Sequence, residues 1–133
     1  MFINAGLRYR IGPYRQYVKY ARRFCRAGHA VLRFDSSGIG DSEGHFRDIS
    51  QFRRDVVEDA AKTACAVEFL RAEAGVERIG LFGMCSGAYD ALLSGASLPQ
   101  ITFAILVSLP VEDPDGSLPE GIGRFQEIGQ WQS

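Results

Sequence analysis

Apolar positions along this chain fall into two patterns. Short, nearly continuous apolar runs occupy residues 2–5, 30–34, 79–82 and 101–109, as expected of strands covered on both faces. Between them the apolar residues recur at helical spacing. After a loop over residues 6–12, Pro13 suits a first helical position. Tyr14, Tyr17, Val18, Ala21, Phe24 and Cys25 then share a predicted inner face, with Arg15, Lys19, Arg22, Arg23 and Arg26 in solvent and Gly28 as the stop. A second helix is predicted from a Ser50 cap to about Glu73, with Phe52, Val56, Ala60, Val67 and Leu70 inward and Gly75 ending it. A third runs from about Ser86 to Ser94.

Strands alternating with helices in this way build β-α-β units. The expected architecture is a three-layer α/β/α fold with a short, mostly parallel sheet of about four strands. Residues 1–133 form a single domain, and Pro110, Pro114 and Pro119 make residues 110–133 an irregular tail. The chain of 133 residues is long enough to bury a core. Its 46% hydrophobic and 23% charged content excludes the disordered and membrane classes. No apolar run approaches the roughly 20 residues of a membrane helix. The opening "MFINAG" lacks the basic and apolar regions of a signal peptide, so a cytoplasmic protein is expected.

Cys25, Cys65 and Cys85 have no C-x-x-C spacing, which suggests neither a disulfide framework nor a zinc site. Cys25 and Cys65 read as core-facing helix residues. His29 and His45 have no partner at metal-ligand spacing, and no metal or cofactor is expected. Gly38, Gly40 and Gly44 follow a strand, but as G-x-G-x-x-x-G, a poor match to a dinucleotide fingerprint. Net charge is −1, yet eight basic residues and no acidic one precede Asp35. Nucleic-acid binding by the segment from Arg8 to Arg26 is one reading of that asymmetry. The division of its tyrosines inward and its cations outward favours a solvated helix face instead.

The candidate chemistry lies where strands end, since parallel sheets carry their sites at the carboxyl rim. Three loops meet there, at residues 6–12, 35–45 and 83–87. In the last, Gly83-Met84-Cys85-Ser86-Gly87 places glycines two before and two after Cys85, as a tight strand-to-helix turn presenting a nucleophile requires. "FDSSGIGDS" resembles the D-x-R-G-x-G-x-S loop of α/β-hydrolases, with Ser37 in place of the Arg. "GLRYRIGPYRQYVKYARRF" and "VLRFDSSGIGDSEG" are similar to α/β-hydrolases associated with exosortase systems, some of which carry Cys at the elbow. Dienelactone hydrolases share that Cys but less elsewhere. The resemblance extends from Met1 to about Pro110.

The resemblance implies hydrolysis of an ester, thioester or related acyl bond in a small-molecule substrate. Cys85 would be the nucleophile, the backbone N–H groups of Leu7 and Ser86 the oxyanion hole, and Arg8 or Arg10 the contact for an anionic group. Counted against that fold, the first two and last two strands are absent, and no His follows residue 45. His45 is the one candidate base for a Cys–His pair, and Glu112 or Asp113 could supply an acid. A binding or assembly module that keeps the pocket without turnover is the alternative. The long apolar run 101–109 would leave an open sheet edge, so a homo-oligomer, most simply a dimer, is expected, with Phe125 and Trp131 of the tail as a second source of cover.

Overall fold

The computed structural model describes residues 1–44 and 56–109. A 3-10 turn at Pro13–Arg15 leads into α1 (Gln16–Arg26); α2 (Val56–Ala74), β1 (Ile79–Met84), α3 (Ser86–Ser97) and β2 (Ile101–Val107) follow. β1 and β2 are parallel, in register from Gly80 opposite Phe103 to Met84 opposite Val107, and α3 is the crossover that parallel neighbours need.

Only two of the four expected strands form a ladder. The other two runs reach it through single parallel bridges, Phe2 with Phe82 and Phe2 with Arg33. The segments thus lie in the order residue 33, residue 2, β1, β2, with less pairing than the expected four strands would give. The reason is visible at the next rung. Ile3 N–H donates to Phe82 O at 2.9 Å, but the Ile3 carbonyl accepts from the Tyr17 hydroxyl at 2.9 Å. One residue on, Ser36 N–H donates to the Asn4 side chain at 2.8 Å. Side chains take over where a longer ladder would continue.

Alternation along these segments sorts the core to two faces. Met1, Ile3, Ile79, Leu81 and Ile101 pack with Val67 and Leu70 of α2 and Ala91 of α3. Phe2, Ala5 and Phe82 pack with Tyr17 and Ala21 of α1, and the Phe2 ring lies 5.0 Å from Tyr17 and 4.9 Å from Phe82, centre to centre. Helices therefore cover both faces. Between α2 and α3, the buried Ser94 hydroxyl donates to Thr63 Oγ1 at 3.2 Å, a polar bridge that hydropathy does not reveal.

Three sequence expectations change. Tyr14 is 91% exposed, because Tyr14 and Arg15 adopt positive φ and the α-helix starts only at Gln16. Cys25 and Cys65 are both exposed rather than core-facing. Cys65 lies two residues from Val67, about 200° around the helix from a buried position, and Cys25 falls about 80° from Tyr17, at the margin of the α1 stripe. Arg15 before α1, and Lys19, Arg22, Arg23 and Arg26 on it, are exposed as expected. The Ser50 cap and Phe52 lie outside the described residues. No helix among the described residues is long and apolar enough to cross a membrane.

Candidate active site

A single residue, Cys85, separates the end of β1 from the start of α3, with φ 54 and ψ −125. L-residues rarely occupy this region, and it persists only where surroundings over-determine it. Two backbone bonds do so: Cys85 N–H donates to Val107 O at 2.9 Å, and Ala88 N–H donates to Cys85 O at 2.9 Å. The flanking glycines are required by close approach. A Cβ on Gly83 would lie 1.9 Å from the Gly87 carbonyl oxygen, and one on Gly87 would lie 2.2 Å from the Asn4 carbonyl oxygen. No side chain fits at either position, so the turn presses strand, helix and the first segment together and leaves Cys85 exposed at the carboxyl rim.

The loop over residues 6–12 is bonded directly to this turn. Gly6 N–H donates to Ser86 Oγ at 2.8 Å. Arg8 N–H then closes a tight turn on Ala5 O at 3.1 Å, so Leu7 lies within that turn. Ser86 is the first residue of α3, where N–H groups have no acceptor in their own helix. The structure thus brings the loop carrying Leu7 against Ser86, the residue that follows Cys85.

The same loop is anchored on its inner side by Asp35, whose side chain is only 1% exposed. Its carboxylate accepts from Arg10 N–H at 2.5 Å, from the Arg10 guanidinium, from Asn4 Nδ2 at 3.3 Å and from Asp41 N–H at 3.5 Å. Gly40 makes room for it, since a Cβ there would lie 2.4 Å from Asp35 Oδ2. Ser42 Oγ donates to Asp35 O at 2.6 Å, and Arg33 donates to Arg10 O at 3.0 Å. Burial alone would raise the Asp35 pKa; the Arg10 backbone amide and guanidinium, with Asn4 and Asp41, outweigh it and hold the carboxyl below its usual range.

Arg10 also pairs with Asp41 at 2.7 Å, and its pKa is raised by its bonds to Asp41 and Asp35. Its guanidinium is therefore engaged by two carboxylates of the neighbouring loop. Arg8 is exposed. Tyr17 lies behind the turn, fully buried; burial pushes its phenol up to about 12, against the influence of the Met84 backbone, and a thiolate at Cys85 acts in the same direction as burial.

His45, Glu112 and Asp113 lie outside the described residues. Among the described residues, no three His, Cys, Asp or Glu side chains gather to hold a metal ion. An apolar cavity of about 410 Å³ lies elsewhere, toward the amino ends of the strands, with Phe24, Gly80, Phe82, Phe103 and Ile105 in its walls. It does not include the Cys85 turn.

The side-chain bonds of Ser86, Asn4 and Tyr17 are the features around the turn that the sequence pattern did not single out. Each acts on a backbone group distant in sequence, and no local spacing signals that. No curated protein matches this sequence. A family model described as serine aminopeptidase, S33, matches residues 10–130.

Proposed function

Since the chain belongs to the serine aminopeptidase S33 family, an α/β-hydrolase family, we propose that it hydrolyses an ester, thioester or related acyl bond with Cys85 as its nucleophile. The observation that carries this reading is the position of Cys85: an exposed residue held at φ 54 and ψ −125 between a strand and a helix N-terminus. Such strain, retained by close-packed glycines, belongs to a residue whose side chain must be presented. The family is named for serine, and a thiolate in the same place is the stronger nucleophile.

In the proposed reaction, Cys85 Sγ as thiolate adds to the substrate carbonyl carbon. The oxyanion that forms is met by the N–H groups of Leu7 and Ser86. Its collapse breaks the bond to the leaving group, which departs with a proton, and leaves an acyl thioester on Cys85. Water then releases the acid and restores the thiol. His45 is the proposed base for both steps, and Arg8 the proposed contact for an anionic substrate group, with Arg10 held by Asp35 and Asp41.

The test uses p-nitrophenyl esters, an acyl thioester and an aminoacyl arylamide with the full chain, reading both turnover and the mass adduct. We expect an acyl adduct on Cys85, formed faster than on the exposed Cys25 or Cys65 and absent from Cys85→Ala. Turnover of the simple esters should be weak. Acylation spread equally over the three cysteines would overturn the nucleophile assignment and favour a binding module that keeps the turn without its chemistry.

A further inference from the structure

The Ser86 hydroxyl has no part in the reaction written above, although it sits beside the nucleophile. Its oxygen accepts the Gly6 amide proton at 2.8 Å across 80 residues of sequence. Gly6 immediately precedes Leu7, and Gly6 itself carries φ 55, so this bond fixes the chain at the point where it turns into the Leu7 peptide. The other anchors of the loop act farther along: Asn4 Nδ2 on Arg8 O at 2.9 Å, and Asp35 on the Arg10 amide at 2.5 Å. Among the described residues, the link from the start of this loop to the Cys85 turn is the Ser86 hydroxyl.

We propose that the Ser86 side chain is a positioning residue: by holding the Gly6 amide it sets the Leu7 N–H beside the Ser86 N–H, so that one residue donates to the oxyanion and also places the second donor. The inference rests on the acyl-transfer reading of Cys85. Oxyanion donors act through preorganisation, and a donor displaced from the oxyanion position loses most of its effect. A hydroxyl can serve here because it accepts from Gly6 while its own proton rotates elsewhere. Threonine keeps that acceptor and alanine removes it.

The experiment compares two reactions of Cys85 in the full chain. With p-nitrophenyl acetate, the thiolate adds to the carbonyl, an oxyanion forms, and its collapse breaks the acyl C–O bond so that nitrophenolate leaves. With iodoacetamide, the thiolate displaces iodide and no oxyanion forms. Ser86→Ala is expected to slow acylation about tenfold or more, by the measure of a weakened oxyanion donor, and to leave alkylation within about twofold. Ser86→Thr should restore acylation. Equal slowing of both reactions, or no slowing of acylation, would overturn the proposal. Should Ser86→Ala fail to fold, amide exchange in the native chain decides the matter: protection of Gly6 well above that of Leu7 supports the bond, and equal exchange rejects it. If native Cys85 is acylated no faster than Cys25, the nucleophile reading itself falls and takes this inference with it; an acylated Cys85 indifferent to residue 86 removes this inference alone.

Discussion

At the scale of single residues, Asp35 carries the most side-chain interactions near the site among the described residues. One buried carboxylate joins the loop over residues 6–12 to the loop over residues 35–42 through Asn4, Arg10 and Asp41. Asp35→Asn should cost about 2–3 kcal/mol at pH 7, since it removes the charge while leaving buried donors to find a weaker acceptor. The sign of the acid dependence follows from its lowered pKa. The folded state binds fewer protons than the unfolded chain, so this stabilisation is complete above the ordinary carboxyl range and is lost as pH falls through the folded pKa. Urea unfolding at pH 7 and near pH 3 checks it: the gap between native and variant should narrow in acid, and a constant gap would contradict the assignment. Cys85, Gly83 and Gly87 were legible in the sequence because the turn's demands fall on adjacent positions. The partnership of Ser86 with Gly6 was not, because hydroxyl acceptors are common and the chain's path decides which one meets which amide.

At the scale of elements, the helical and strand periods predicted α1, α2, α3, β1 and β2 in their observed order, while overstating the sheet. The runs at residues 2–5 and 30–34 have strand composition, yet the Ile3 carbonyl accepts from Tyr17, and just past the second run the Ser36 amide bonds to the Asn4 side chain. Burial pattern alone cannot distinguish a paired segment from one bonded to side chains. Tyr14 shows the same limit for helices, since its spacing is helical and its backbone is not. The junction of β1 and α3 tolerates least. Gly87→Ala would drive a methyl to 2.2 Å from the Asn4 carbonyl oxygen. Because backbone rather than a flexible side chain must yield, a loss of about 3 kcal/mol or more is expected. Thermal unfolding of Gly87→Ala against Gly75→Ala, where the added Cβ meets nothing within 4 Å, separates this collision from the strain at the positive φ of Gly75. A loss no greater at 87 than at 75 would show that the turn can relax.

At the scale of the whole molecule, the outer side of β2 is the feature that asks for company. Among the described residues β2 pairs with β1 alone, and its Phe103 and Ile105, which line the apolar cavity on one face of the sheet, are 41% and 39% exposed. An apolar strand with an open edge recruits another strand, and a two-fold axis lets two copies satisfy each other. We expect a dimer by light scattering at micromolar concentration, shifted toward monomer by Ile105→Lys; a monomeric native chain would refute it. The φ and ψ of Cys85 bear on the same scale in a different way. They are the mirror image of ordinary extended backbone, a conformation that glycine adopts freely and cysteine resists at about 1–3 kcal/mol. Cys85→Gly should therefore melt higher than the native chain while losing its acylation, a trade between durability and reactivity written into one residue.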